Sequence, residues 1–111
     1  MLFRSEDGLI EKASILGDIF HQELNRIKKK YPNHLRYISG KGLVAALIFL
    51  DENNNPLSKL CDKISELAFQ RGLLVVHTGR ESIKLAPPLS ISKEALLEGL
   101  EVLDNAIGDA I

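Results

Sequence analysis

The sequence is poor in the residues that build disulfides, cysteine-ligated metal centres and base-stacking surfaces. Of its 111 residues one is cysteine and none is tryptophan, and aromatic residues make up 5%. A single cysteine excludes an internal disulfide and a cysteine-based metal framework. The low aromatic content argues against a platform on which nucleic-acid bases stack.

Long apolar runs and a strong net charge are also absent. No run approaches the roughly 18 residues that cross a bilayer, and the N-terminus leads directly into acidic residues rather than into a signal peptide. The net charge of −1 provides no field that would attract nucleic acid or anionic lipid. With 45% apolar and 26% charged residues, we expect a cytoplasmic protein without membrane or nucleic-acid partners, in which residues 1–111 form a single domain.

The first half of the chain predicts a long helix followed by a β-hairpin. Ser5 is placed to cap the helix and Pro32 to end it. Between them apolar residues recur every three or four positions, as on one buried helix face: Ile10, Ala13, Leu16, Phe20, Leu24 and Ile27. A strand over 35–38, a glycine-rich turn over 39–42 and an apolar strand over 43–50 then form the hairpin.

Four cations lie near the end of the first helix: Arg26, Lys28, Lys29 and Lys30. They form either an anion-binding patch or, as we favour here, a group of side chains that face water and complement the helix dipole. The turn over 39–42 contains Gly-Lys-Gly, but a phosphate-binding loop needs a different glycine spacing and a helix after it. Since an apolar strand follows, we interpret this turn as a hairpin connection.

The third quarter of the chain predicts a second helix. Asn55 is expected to cap it, with Pro56 at the first helical position and Gly72 just beyond its end. Cys61 falls on its apolar stripe. We therefore expect a buried thiol rather than a reactive one.

Two short strands and a final helix complete the chain. The strands are predicted over 73–76 and 82–85, and Pro87 and Pro88 end the second because proline donates no hydrogen bond to a sheet. Ser92 is expected to cap the last helix. The order helix, strand, strand, helix, strand, strand, helix predicts an α+β fold, with helices packed on a small, mostly antiparallel sheet.

The strands over 43–50 and 73–76 are apolar at every position. A sheet with one face in water alternates apolar and polar residues instead. Either the three helices divide between the two faces, or the second face docks against a surface that this chain does not contain.

No self-contained active site is evident. His21, His34 and His77 lack metal-ligand spacing, and neither a Gly-x-Ser-x-Gly elbow nor a dinucleotide-binding glycine motif is present. We assign no catalytic, cofactor-binding or metal-ligating residue. On residues alone, the chain is a binding or subunit domain.

Four segments together carry a resemblance to a known family. Gly-Lys-Gly-Leu at 40–43 opens an apolar strand, Arg-Gly-Leu-Leu-Val occupies 71–75, Ile-Lys-Leu-Ala-Pro-Pro-Leu-Ser-Ile-Ser occupies 83–92, and a helical segment occupies 94–107. In this order and spacing they resemble the C-terminal domain of class III aminotransferases, the ornithine- and 4-aminobutyrate-type enzymes that use pyridoxal 5'-phosphate. The resemblance covers essentially the whole chain.

The resemblance implies the small C-terminal domain of a fold-type-I enzyme whose large domain is absent. In the family the large domain supplies the Schiff-base lysine, the aspartate at the pyridine nitrogen and most phosphate contacts of pyridoxal 5'-phosphate. The isolated chain should then be inactive. The implied partners are that large domain, a second subunit in a homodimer, an amino donor and a 2-oxo acid.

Lys84 is the substrate-binding residue that the resemblance implies. Several family members have an arginine at this position, and that arginine binds a substrate carboxylate. An ammonium group is a flexible point charge and lacks the planar fork of a guanidinium. Lys84 therefore holds a carboxylate less rigidly, or the substrate is held elsewhere and Lys84 simply faces water. Ser39 also stands where an arginine is frequent, which weakens any anion site at the hairpin.

These observations predict a fragment of an aminotransferase that moves an amino group between an amino compound and a 2-oxo acid. Its part in the reaction would be to orient the substrate carboxylate. A stand-alone α+β module for ligand binding or oligomerisation is the alternative.

Overall fold

The computed structural model describes residues 2–72, 76–77, 81–88 and 90–111. Within these ranges three helices and four strands follow the order α-β-β-α-β-β-α, which confirms the predicted α+β class. The elements are α1 (Leu2–Lys30), β1 (Leu35–Ser39), β2 (Ala45–Phe49), α2 (Ser58–Gln70), β3 (Val76–His77), β4 (Ser82–Leu85) and α3 (Lys93–Ala110).

The strands form one antiparallel sheet in the order β1-β2-β4-β3, with β4 between β2 and the short strand β3. Although β2 is apolar throughout, its burial follows the period of two that a pleated strand requires. Ala45, Leu47 and Phe49 are buried, whereas Ala46 and Ile48 between them are half-buried.

One face of the sheet, here called the covered face, shares a single apolar core with the three helices. Helix α1 lies on β1, α2 lies on β2, β3 and β4, and α3 packs against α1 and α2. The predicted stripe of α1 supplies four buried residues, Leu16, Phe20, Leu24 and Ile27. The covered face supplies Leu35, Ile38, Ala45, Leu47, Phe49, Ile83 and Leu85.

The opposite face, here called the open face, consists of Tyr37, Ser39, Ala46, Ile48, Ser82 and Lys84, which the strand register places together. All six are half-buried or exposed, and Tyr37 is 53% exposed. No helix of the described residues packs on this face, so the helices do not divide between the two sides. Residues 73–75, which were also expected to be buried on both faces, lie outside the described ranges.

Two helix starts differ from the prediction. Helix α1 already begins at Leu2, so Ser5 lies inside it, because neither proline nor glycine precedes Ser5 to stop the helix. Helix α2 begins at Ser58, and Asn55 and Pro56 lie outside it. The Asp51 carboxylate accepts hydrogen bonds from the backbone N–H groups of residues 53 and 55, at 2.8 and 2.9 Å, and Pro56 pairs with Leu50. These contacts hold the segment as a loop.

Two other helix ends confirm the prediction. The Ser92 side chain accepts a hydrogen bond from the N–H of Ala95 at 3.1 Å, as expected of a helix cap. Gly72 follows α2 with φ of 87°, a conformation that favours glycine. None of the helices in the described part of the chain has the length and apolar character that a membrane span requires.

Candidate functional site

Lys84 lies in β4, between two buried residues that anchor this strand in the core. Ile83 and Leu85 point into the core and are 0% and 5% exposed, so the intervening Lys84 side chain must project from the open face. Its cross-strand neighbours are Ala46 on β2 and Val76 on β3. The segment after Leu85 leaves the sheet through the prolines, as predicted.

The Lys84 ammonium group has no ion-pair partner among the residues that the structure describes. Its neighbours on the open face are small, hydroxylic or apolar side chains, and none of the six residues of this face is acidic. Ser39 shares a cross-strand row with Lys84, with Ala46 between them. The structure therefore places Lys84 and Ser39 on the same face but not in contact.

The turn that joins β1 to β2, just after Ser39, is held against α1 by a close backbone contact. A Cβ atom on Gly17 would lie 2.8 Å from Cα of Gly42, which is closer than real Cβ contacts come. Gly17 therefore allows the turn to rest directly on the helix, and this contact positions the end of β1 that carries Ser39. The spacing of residues on the helix gave no indication of this pairing.

An apolar cavity of about 260 Å³ lies behind the end of β4, on the helix side of the sheet. Phe20 of α1, the prolines at 87 and 88, and Ala95 and Gly99 of α3 contribute to its wall. Its lining among the described residues carries no charged side chain. This cavity is therefore unsuited to a carboxylate and lies on the opposite side of the sheet from Lys84.

An ion cluster around the buried Asp104 carboxylate joins the end of α1 to α3. Both carboxylate oxygens of Asp104 lie 3.1 Å from Nζ of Lys30, and the Tyr31 hydroxyl donates to Asp104 Oδ1 at 2.9 Å. The Arg26 guanidinium lies 3.6 Å from the same carboxylate. Arg26 and Lys30 are 53% and 52% exposed, so these two cations face water as interpreted, and they also pair with the Asp104 carboxylate.

The cluster shifts the pKa of the groups in it. Burial alone would raise the pKa of Asp104, but the hydrogen bonds from Tyr31 and Lys30 outweigh it and lower that pKa below its usual value. The pKa of Lys30 is raised, chiefly by its hydrogen bond to Asp104. The carboxylate is therefore held ionised, so the cluster is a structural clamp.

Cys61 is fully buried within α2, as predicted. Burial raises the pKa of its thiol to about 12, with smaller contributions from Asp62 and Glu81. The thiolate needed for nucleophilic chemistry is therefore not formed near neutral pH.

Comparison with known proteins identifies the family. The family model for class III aminotransferases matches residues 3–107. This chain belongs to the class III aminotransferase family. The resemblance of the four segments is thereby confirmed.

Relatives of this class III aminotransferase chain are much longer than the chain itself. The mitochondrial ornithine aminotransferase of Arabidopsis thaliana is 35% identical over 104 residues, which are 92% of this chain and 21% of that protein. An alanine/serine racemase of Pyrococcus horikoshii is 30% identical over 108 residues, 96% of this chain and 23% of that protein. The chain therefore spans less than a quarter of the length of these curated relatives.

Solved structures agree with the fold. The acetylornithine aminotransferase of Elizabethkingia anophelis superimposes with a TM-score of 0.82 at 30% identity, over 95% of this chain and 25% of that one. A transaminase of the marine bacterium Virgibacillus superimposes with a TM-score of 0.85 at 23% identity, over 98% and 26% of the two chains. The second likeness concerns the fold alone.

The described residues of this class III aminotransferase chain do not form a complete binding site for pyridoxal 5'-phosphate. Such a site needs a lysine facing the cofactor aldehyde and a carboxylate facing the ring nitrogen. Lys84 is exposed on a face whose six residues include no acid, and Lys28 and Lys29 line a cavity without a carboxylate. No step of cofactor chemistry is therefore assigned to this chain.

Two of the structural features described above were not predicted from the sequence. Asp104 lies on the apolar stripe of α3, four residues after Leu100 and three before Ile107, and an acid in that position could have indicated a buried ion pair. The contact between Gly17 and Gly42 had no comparable signal, because it joins two elements whose packing depends on the whole fold.

Proposed function

We propose that residues 1–111 are the small C-terminal domain of a pyridoxal-phosphate-dependent aminotransferase, which transfers an amino group between an amino compound and a 2-oxo acid. The observation that carries this proposal is the open face with Lys84, which has no ion-pair partner among the residues that the structure describes. Family membership and the coverage of less than a quarter of each curated relative support it.

The open face is the surface on which the large domain of the same protein docks. Tyr37 is 53% exposed there, and Ile48 and Ala46 lie beside it on β2. Val44, next to β2, is 54% exposed. Apolar side chains grouped on one uncovered face are typical of a surface that meets another protein surface. Burying them against the large domain supplies the second layer that a strand apolar on both sides needs.

Lys84 binds the substrate carboxylate in this arrangement. Docking removes water from around its ammonium group, and a charge buried without a counter-ion is strongly unfavourable. A substrate carboxylate between the domains provides that counter-ion. Because Ile83 and Leu85 are packed in the core, the backbone at Lys84 is held rigidly, although the side chain itself is flexible.

Pyridoxal 5'-phosphate, held by the large domain, would supply the electron-withdrawing chemistry of the reaction. The residues of this chain contribute by binding and orienting the substrate and by excluding water when the domains close. The proposal extends to a cytoplasmic homodimer, in which the second subunit completes the site.

The first test is the reading frame upstream of Met1. A continuous coding sequence for a large domain with a cofactor-binding lysine supports the proposal. An in-frame stop codon followed by a ribosome-binding site contradicts it and favours a stand-alone binding or oligomerisation module.

The second test uses the full-length enzyme. Lys84→Ala is expected to raise the KM for the carboxylate substrate about tenfold or more, with a smaller change in kcat, because one charge-assisted hydrogen bond is lost. Lys84→Arg should retain or improve that KM, since a guanidinium binds a carboxylate through two parallel bonds. Lys59→Ala, at an exposed position on α2, is the control. If Lys84→Ala and Lys59→Ala give the same kinetics, Lys84 does not bind substrate.

A further inference from the structure

A second cavity, of about 210 Å³, lies between the end of α1, the α1–β1 loop and β1. Pro32 and Leu35 form its apolar floor, and its polar lining consists of Asn25, Lys28, Lys29 and Arg36. Three cations and an amide thus surround one small cavity. Its lining among the described residues contains no carboxylate.

A β-bulge brings Arg36 to this cavity. Leu35 pairs with Phe49 and Tyr37 with Ile48, so two residues of β1 advance while β2 advances by one, and Arg36 is left out of the pairing. A bulge of this kind redirects a side chain. Leu35 remains in the core and Tyr37 on the open face, while Arg36 lies beside the two lysines of α1.

The nearby acids are engaged elsewhere. Asp104 binds Lys30 and Arg26 on the α3 side of the helix. Asp51 is close enough to Arg36 for that charge to lower the Asp51 pKa slightly, but the largest effect on this pKa comes from the backbone hydrogen bond of Asn55. Within the described residues neither Lys28, Lys29 nor Arg36 has an ion-pair partner.

Dipole compensation at the end of α1 accounts for the lysines but not for the rest of the cavity. Lys30 lies in the last turn of the helix and already complements the helix dipole there. Arg36 comes from another element, and its approach to two like charges is unfavourable unless an anion lies between them. Asn25 adds a neutral N–H donor of the kind that binds an oxyanion.

We propose that this cavity binds a phosphate dianion, either free phosphate or the phosphate of a small phosphomonoester. Arg36 would bind two phosphate oxygens through its planar fork, and Lys28 and Lys29 would neutralise the remaining charge. The site is built entirely from residues of this chain. It therefore does not depend on the proposed aminotransferase activity and can fail or succeed without it.

The test is a titration of the isotope-labelled 111-residue chain with inorganic phosphate, followed by amide NMR against chloride at the same ionic strength. Saturable shifts are expected at the amides of residues 25, 28, 29 and 36. Replacing Lys28 and Arg36 together by Gln should weaken phosphate binding by about tenfold or more, because two charge-assisted contacts are removed. Arg36→Lys should give an intermediate affinity, since it keeps the charge and loses the fork.

The matched control replaces Lys59 and Lys63, two exposed lysines of α2, by Gln. It removes the same charge and should change the affinity by less than about twofold. Glycerol phosphate distinguishes the two sources of the anion: tighter binding than inorganic phosphate indicates a phosphomonoester, and equal or weaker binding indicates free phosphate. Shifts that do not saturate, or an equal loss of affinity in the control, would overturn the proposal.

Discussion

The two faces of the sheet are built from neighbouring residues of the same strands, yet the described helices pack on only one of them. On the covered face Leu47 and Ile83 are 0% exposed beneath the helices. On the open face Ile48 and Lys84, one position further along each strand, remain half-buried and exposed. An apolar strand sequence thus indicates that two faces need burial, but it does not indicate which face the chain can bury by itself.

The same contrast separates two lysines. Lys30 is held by Asp104 and Tyr31 within the domain, whereas Lys84 has no such partner among the described residues. The pair with Lys30 compensates the buried Asp104 carboxylate and so contributes to the stability of the chain. A charge without a partner is available to a substrate or to another surface.

The largest expected loss of stability comes from disrupting the packing of the covered face. Leu47→Ala should lower the free energy of unfolding of the 111-residue chain by about 3 kcal/mol, because it removes a fully buried side chain and leaves a cavity. Ile48→Ala, the control on the other face, should cost less than about 1 kcal/mol. Denaturant unfolding followed by circular dichroism measures both. Equal losses would mean that the open face is packed as tightly as the covered one.

The contact between α1 and the hairpin tip gives the next largest effect. Gly17→Ala should destabilise the chain by about 1–2 kcal/mol, although alanine favours a helix, since its Cβ would press on the backbone of Gly42. Ser14→Ala, at an exposed position of the same helix, should be neutral or slightly stabilising. A stabilising Gly17→Ala would show that the hairpin does not rest on the helix.

The ion cluster predicts a pH dependence. The folded-state pKa of Asp104 is lower than its unfolded value, so its contribution is complete above the unfolded carboxylate pKa of about 4 and is lost as the pH falls below it. Asp104→Asn should cost about 1–2 kcal/mol near neutral pH and flatten the acid side of the stability profile. Asp109→Asn, which affects the more exposed pair with Arg71, should cost about 0.5 kcal/mol or less. Profiles with the same acid slope for wild type and Asp104→Asn would contradict this assignment.

Local signals in the sequence predicted those parts of the fold that neighbouring residues control. Ser92 and Gly72 mark helix ends because their effects reach only a few positions along the chain. Asn55 does not cap the helix because the backbone N–H groups of residues 53 and 55 donate to the Asp51 carboxylate, which holds this segment as a loop. The pairing of Lys30 with Asp104 spans 74 positions, so no local pattern could identify Lys30 as the partner of this buried acid. For the candidate site, the prolines located the end of β4, but the face on which Lys84 lies depends on the strand register.

The smallest effect on stability is expected at Lys84 itself. Lys84→Ala should change the free energy of unfolding of the chain by no more than about 0.5 kcal/mol, because an exposed side chain without an ion-pair partner in the described part of the chain contributes little to folding. Ile83→Ala, one residue earlier on the same strand, should cost about 3 kcal/mol. The two variants lie on the same strand and differ only in the face of the sheet that they affect. Comparing them therefore separates an effect on folding stability from an effect on substrate binding. A loss at Lys84 comparable to that at Ile83 would mean that the lysine stabilises the domain, and an altered KM in the full-length enzyme could then no longer be attributed to substrate contact.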